Sequence, residues 1–190
     1  MTKLLHRAPP HREIKKCYYI STEGKTERIY LNMIAKKFDV LIKLAKDDNQ
    51  SAPSKVLLKL RKLIRNEKRA GDEAWILIDR DNWKKEEILQ ICKEAEKKNI
   101  EVAVSNPRFE YWLLLHFDKC KGIKSSSLKT KLERYIPQYD KGDYNTIQLA
   151  NNVSTAIANA KEKDTPPRKL CLLHHGTTVY RLVERLINNQ

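Results

Sequence analysis

The chain has 190 residues and carries 38 Lys and Arg against 24 Asp and Glu, a formal net charge of +14 with a pI near 9.6. Hydrophobic residues make up 41% of the chain, which is enough for one globular domain with a full core. The sequence shows no apolar run of membrane-spanning length and no apolar signal-peptide core in its polar, basic start. We therefore expect a cytoplasmic protein that does not enter a membrane.

The excess of positive charge favours a polyanionic partner, and nucleic acid is the usual one. A lysine-rich but merely solvated surface is the alternative, because the lysines are spread over many predicted helix faces. Four cysteines, Cys17, Cys92, Cys120 and Cys171, lack the close spacing of a zinc site. A zinc protein is thus disfavoured.

Strands and helices alternate through the first part of the chain, after a basic segment at 1–16 that we interpret as an N-terminal arm. Period-two and continuous apolar runs predict strands, and apolar residues on helical spacing predict helices between them. Such βαβ units predict an α/β fold with a mostly parallel sheet of about four strands flanked by helices. In chain order the elements are a strand at 17–22, a helix near 26–37, a strand at 40–45, a helix near 54–69, a strand at 74–78, a helix near 84–98 and a strand at 100–104.

Beyond residue 106 the pattern becomes helical, with a nearly apolar stretch at 109–117 that predicts a buried helix. Further helices are predicted at 125–136, 146–163 and 178–187, with a break at 165–168. We predict an α/β core at 17–118 and a helical extension at 119–190 packed on it.

Acidic residues follow two of the apolar strands, in a chain otherwise dominated by positive charge. Glu23 follows the first strand, and Asp79 and Asp81 follow the strand at 74–78. The carboxyl ends of parallel strands line one crevice, so these acids are expected to converge. On an extended segment, Asp79 and Asp81 would project to the same side, with Arg80 turned away. Clustered carboxylates of this kind suggest a Mg²⁺ site.

Basic residues near the same crevice are candidates for binding phosphate. Lys25 stands at the start of the first helix, whose N-terminus offers N–H groups to an anion. Arg108 can clasp phosphate oxygens with two hydrogen bonds. Glu23 and Glu27 are also explained as acids that complement a helix N-terminus, a common surface arrangement.

Glu110 leaves three interpretations open: a metal ligand, a partner that orients Lys25 or Arg108, or an acid at the start of its own helix. Trp83, next to the acids, could stack on a base or cover the sheet. His116, in an apolar stretch, is interpreted as a structural histidine, and His174-His175 as part of a loop.

Three motifs stand out in this order along the chain: YISTEGKTE at 19–27, IDRD at 78–81 and SNPRFEYWLLLHF at 105–117. Together they resemble the RloB family, whose sequences are similar to Toprim domains, the fold shared by topoisomerases, primases and overcoming-lysogenization-defect nucleases. Order and spacing agree from residue 17 to about 118, and YRLV at 180–183 also fits the RloB pattern.

The resemblance implies that Glu23 acts as general acid or base and that Asp79 and Asp81 hold Mg²⁺ or Mn²⁺. It nominates Glu27 for a second metal ion, as in the related nucleases. It also implies a role in anti-phage defence by abortive infection, together with an ATPase partner. The chain departs from the Toprim pattern after the D-x-D motif, where Asn82 and Trp83 replace a glycine.

The sequence thus predicts a Mg²⁺-dependent endonuclease of the Toprim type, acting on DNA or RNA. The alternative is a non-catalytic basic module that binds nucleic acid or docks on a partner ATPase. Nucleotidyl transfer is a third interpretation, but the sequence shows no separate nucleotide-binding motif.

Overall fold

The computed structural model describes residues 15–47, 52–81, 83–164 and 176–188. Within these ranges the chain forms a five-stranded sheet in the order β2-β1-β3-β4-β5. The first four strands are parallel and β5 runs antiparallel to β4, which confirms the predicted mostly parallel α/β sheet. The strands are β1 (Cys17–Ser21), β2 (Leu41–Leu44), β3 (Glu73–Asp79), β4 (Glu101–Asn106) and β5 (Gly176–Thr177).

Three helices connect the parallel strands, and the described residues after β4 form five more α-helices. Helices α1 to α3 cross from one strand to the next, as the βαβ pattern predicts. In order, the helices are α1 (Lys25–Lys37), α2 (Pro53–Ile64), α3 (Lys85–Glu96), α4 (Phe109–Leu114), α5 (Leu128–Glu133), α6 (Ile147–Asn151), α7 (Val153–Lys163) and α8 (Val179–Ile187).

Alternation along β1 sends its side chains into two separate hydrophobic clusters, one on each face of the sheet. Cys17 and Tyr19 join the cluster under α2 and α3. Tyr18 and Ile20 join the larger cluster, which includes α1, α4 and the later helices. Both faces of the sheet are therefore covered, which explains why β1 is buried throughout.

The later helices share their core with the sheet. Trp112 of α4 and Leu182 of α8 are fully buried in the same cluster as Tyr18. The Tyr18 hydroxyl also donates a hydrogen bond of 2.9 Å to the backbone carbonyl of Arg185 in α8. The second half of the chain is thus packed directly on the sheet.

His116 is buried among aromatic rings and is hydrogen bonded on both sides. Its Nε2 lies 3.2 Å from the Tyr30 hydroxyl and its Nδ1 lies 3.1 Å from the Trp112 carbonyl. Burial lowers the pKa of His116 to about 4, so the ring is neutral at physiological pH. The interpretation of His116 as a structural residue is confirmed.

Several element boundaries differ from the prediction. Strand β5 has two residues, too few to give a periodic signal. Helix α2 ends at Ile64 and not near 69, because no residue beyond Ile64 is buried until the next strand. The helix predicted at 146–163 is two helices that meet at Asn152, and the one predicted at 109–117 ends at Leu114.

Parts of some predictions lie outside the described residues. They include most of the basic arm, the break at 165–168 and His174-His175. Of the arm, Lys16 forms an ion pair of 2.6 Å with Glu73. In the described ranges no helix has the length and apolar character needed to cross a bilayer.

Leu182→Ala tests whether helix α8 belongs to the sheet's core. Removing this fully buried side chain should lower the free energy of unfolding by about 2–5 kcal/mol, since it leaves a cavity in the shared cluster. The control is Ile147→Ala, at a side chain that is 66% exposed, which should change stability by less than about 0.5 kcal/mol. Denaturant unfolding gives both values, and equal small effects would contradict a shared core.

Candidate metal centre

All seven residues proposed from the sequence line one cleft at the carboxyl ends of the strands. The cleft has a volume of about 450 Å³. Strands β1, β3 and β4 are neighbours in the sheet, so the residues that follow them are brought to one edge. The seven are Glu23, Lys25, Glu27, Asp79, Asp81, Arg108 and Glu110. Their convergence was predictable, whereas their chemical roles stay predictions.

Glu23 is joined to the end of the neighbouring strand by a hydrogen bond. The backbone N–H of Asp79 donates to Glu23 Oε1 at 2.9 Å. Burial raises the pKa of Glu23 to about 8, and the charges of Glu27 and Asp81 add to the rise, while the Asp79 N–H opposes it. This carboxyl therefore exchanges its proton close to neutral pH.

Glu27 and Asp79 lie deeper, where carboxylates face one another. Glu27, in the first turn of α1, is only 5% exposed, and burial with the nearby charge of Glu110 raises its pKa to about 7. The pKa of Asp79 lies well above its ordinary value because of burial and the charges of Glu27, Glu23 and Glu110. Several acids thus oppose one another's ionisation.

The backbone turns at Asp81, whereas the sequence predicted that Asp79 and Asp81 would lie on one extended segment and project to the same side. Asp79 is the last residue of β3, and Asp81 has a φ of 35°, in the left-handed region that aspartate tolerates. The Arg80 N–H donates to the Ser105 carbonyl (2.8 Å), and the Asp81 N–H donates to the Pro107 carbonyl (2.9 Å). These bonds to the end of β4 turn the chain, so Asp79 lies inside the cleft and Asp81 at its mouth.

Arg108, predicted to bind phosphate, is held by an acid in this structure. Its Nε lies 3.0 Å from Asp81 Oδ1, and both side chains are about one third exposed. Lys25 is exposed in the first turn of α1. Both cations stand at the mouth of the cleft, where an anionic ligand would enter.

Glu110 lies buried in the first turn of α4, and its Oε1 is 3.3 Å from the ammonium group of Lys141. This ion pair is with a residue that was not considered from the sequence, and the charge of Glu110 also helps Asp81 to raise the pKa of Arg108. The first-turn position agrees with the helix-start interpretation, and the location in the cleft leaves metal ligation open.

Lys141 and Gly142 complete the cleft wall from the helical extension. Thr26, in the first turn of α1, donates its hydroxyl proton to the Lys141 carbonyl at 2.6 Å. The Tyr144 hydroxyl donates in return to the Thr26 carbonyl at 2.7 Å. These two bonds attach the loop that carries Lys141 to the first turn of α1.

Sequence reasoning missed Lys141 and also Asp47, which lines the same cleft beyond the end of β2. Asp47 could have been found by the strand-end rule that identified Glu23 and Asp79. For Lys141 the available signal was weak: a turn-forming D-K-G-D sequence at 140–143 inside the predicted extension. Trp83 is 37% exposed and does not line the cleft.

The carboxylates of the cleft are suitable ligands for a hard divalent cation. Their oxygens line the same cleft but are not arranged around one point. In the part of the chain that the structure describes, no three His, Cys, Asp or Glu side chains already form a metal-ligand group. Mg²⁺ needs only one or two protein carboxylates and keeps several waters. A cation would also relieve the repulsion that raises the pKa values of Glu23, Glu27 and Asp79.

Comparison with known proteins gives one finding. A family model described as RloB-like protein matches residues 18–186, nearly the whole chain. No curated protein and no solved structure matches the chain significantly.

Glu23→Gln tests the electrostatic strain of the cleft through the pH dependence of stability. The folded protein holds the Glu23 proton up to a pH of about 8, whereas the unfolded chain loses it at a lower pH. The stability that this protonated carboxyl contributes is therefore complete below the unfolded pKa and is lost as the pH rises through about 8. In the presence of a chelator, the variant should therefore gain stability relative to the parent protein between pH 5 and 9, by an amount on the order of 3–5 kcal/mol at about 1.4 kcal/mol per pKa unit.

Glutamine keeps the oxygen that accepts the Asp79 N–H, so the comparison isolates the charge. Glu94→Gln, at an exposed position of α3, is the matched control and should show no growing difference. Denaturant unfolding across this pH range gives the profiles. Parallel profiles for Glu23→Gln and the parent protein would contradict the raised pKa.

Proposed function

The chain belongs to the RloB-like family, and we propose that it is a Mg²⁺-dependent nuclease whose metal ions bind in the acidic cleft. The observation that carries the proposal is the cleft itself: six acids from several elements lie together in a chain of net charge +14. Buried carboxylates that oppose one another's ionisation are costly for stability, and such groups concentrate at functional sites. The positive remainder of the chain fits a polyanionic substrate.

In this proposal Asp79, Asp81 and Glu27 hold the metal ions, with Glu23 beside them. The buried Glu27 and the half-buried Asp79 would provide the inner oxygens, and Asp81 would provide one at the mouth. Mg²⁺ bound there would polarise the scissile phosphodiester and make a water molecule a better nucleophile. Mn²⁺ has the same preference for oxygen ligands and serves as its substitute.

Glu23 is the proposed general acid or base, because its pKa of about 8 lets it hold or release a proton near neutral pH. The hydrogen bond from Asp79 N–H orients its carboxyl group toward the cleft's inner acids. Lys25 and Arg108 are proposed to bind phosphate oxygens at the mouth. To bind a substrate phosphate, Arg108 must release its ion pair with Asp81. It could do so once Asp81 binds a metal ion.

One observation favours the alternative of a non-catalytic module. Two of the acids already have cationic partners, Asp81 with Arg108 and Glu110 with Lys141. A cluster neutralised by its own side chains would serve structure without a metal ion. Under this alternative the chain binds nucleic acid or docks on a partner, and the acids hold the loops in place.

The defence role and the ATPase partner are implied by the family resemblance, and the cytoplasmic location is expected from the absence of an apolar membrane-spanning run and signal-peptide core; all three stay predictions. The choice between DNA and RNA as the substrate belongs to the same group. None of them is needed for the chemistry proposed for the cleft.

Asp79→Asn separates the two functions. If the cleft is a metal centre, calorimetric titration of Mn²⁺ and Mg²⁺ should show saturable binding that weakens at least about 10-fold in the variant. Cleavage of DNA and RNA probes should be lost in parallel, and Glu23→Gln should lower the rate by about 10²–10⁴-fold. The control is Glu94→Gln, which leaves the cleft intact and should behave like the parent protein.

Absence of saturable metal binding in the parent protein would reject the nuclease proposal and favour the non-catalytic module. Full cleavage by a pure Asp79→Asn preparation would reject the assignment of the activity to the acidic cleft.

A further inference from the structure

A second concave surface lies away from the acidic cleft, on the outer side of helix α2. It has a volume of about 510 Å³ and contains no acidic and no aromatic side chain. We name it the α2 groove. Its lining residues are Leu58, Arg61, Lys62, Ile64, Arg65 and Lys98.

The groove follows from the spacing of residues on α2. Positions 58, 61, 62 and 65 are separated by three, four and seven residues, so they share one helix face. The opposite face carries Val56, Leu57 and Leu60, which are buried against the sheet. Lys98, just beyond the end of α3, provides the other wall. The cations therefore surround an apolar floor that includes Leu58, which is 41% exposed.

The groove cations are not neutralised by neighbouring acids. Arg61, Lys62, Arg65 and Lys98 form no ion pair with any residue in the described part of the chain. Many exposed lysines elsewhere do, and their pairs include Lys43 with Glu67 and Lys119 with Glu162. Four unpaired cations in one concavity create a local positive potential that attracts a polyanion.

Helix α2 connects this groove to the acidic cleft. It follows β2 and precedes the parallel strand β3, so it begins at the carboxyl edge of the sheet and runs away from it. Lys59 of α2 is close enough to Glu23 to act on that residue: burial raises the pKa of Glu23 and the charge of Lys59 opposes the rise. Six residues separate Lys59 from Arg65, which is about 9 Å along the helix axis. The groove cations Arg61 to Arg65 therefore lie roughly 3 to 9 Å farther along α2 than the residue whose charge acts on Glu23.

We propose that the α2 groove binds the phosphodiester backbone of a nucleic-acid duplex and holds the adjoining segment at the acidic cleft. This inference rests on the proposed nuclease function and names the form of its substrate. Proteins that bind single strands stack the bases on aromatic rings, and the groove has none. Phosphate contacts from Arg and Lys fix the position of a duplex without reading its sequence.

The test measures binding apart from cleavage, in the presence of a chelator. The groove variant is Arg61→Gln/Lys62→Gln/Arg65→Gln in the full chain, and the probe is a labelled DNA duplex of about 20 base pairs, or two helical turns. Fluorescence anisotropy at salt concentrations from about 50 to 200 mM gives the slope of log K against log salt. Each phosphate contact contributes about 0.9 to this slope, so the variant should lower its magnitude by about 2 to 3.

The matched control also removes three positive charges, but from the helical extension and not from the α2 groove. Lys121→Gln/Lys124→Gln/Lys129→Gln alters three exposed lysines of the extension that form no ion pair with described residues. If the groove is the binding surface, this control should change the slope by less than about 1. Thermal unfolding of both variants checks that the fold is kept, which the exposure of all six residues favours.

Three outcomes would overturn the inference: unchanged duplex binding in the groove variant, equal losses in both variants, or tighter binding of a single strand of the same length. Equal losses would assign binding to net charge alone. Because the assay contains no metal ion, a negative result would reject the groove inference without bearing on the nuclease proposal. Cleavage that depends on Asp79, without groove-dependent binding, would leave the nuclease proposal intact and remove only this inference.

Discussion

The architecture of the site depends on one constraint, the close placement of several buried or half-buried carboxylates at the edge of a parallel sheet. Glu23, Glu27 and Asp79 are held there because β1 and β3 are neighbours and because the hydrogen bond from Asp79 N–H to Glu23 joins their ends. The sheet tolerates this repulsion because its two faces bury large hydrophobic clusters. The raised pKa values are the electrostatic consequence of that placement.

Cationic side chains balance the acids at the rim of the cleft. Arg108 pairs with Asp81 at the mouth, and Lys141 reaches the buried Glu110 from the extension. Each of these pairs joins elements far apart in the sequence, so the charge balance is a property of the whole fold. In the proposed function these cations would be the groups that an incoming phosphate meets first, so neutralisation of the acids would be coupled to ligand binding.

Sequence patterns were sufficient where a residue's position follows from topology. The convergence of Glu23 with Asp79 required only the rule that parallel strands end at one edge. The conformation of Asp81 was not predictable, because it depends on hydrogen bonds to the carbonyls of Ser105 and Pro107. Lys141 was missed because its position depends on a loop held by Thr26 and not on any periodic pattern. Strand β5 was missed because two residues carry no alternation.

The bonds between Thr26 and the loop at Lys141 also set the order in which the cleft can be completed during synthesis. Thr26 leaves the ribosome 115 residues before its partner. At about 5–20 residues per second, that interval is roughly 6 to 23 seconds. The hydrogen bond of Tyr18 forms later still, because the carbonyl that accepts it lies 167 residues further along the chain, in α8. A nascent chain therefore carries Glu23, Glu27 and Asp79 well before it has the loop at Lys141 that completes the wall of the cleft.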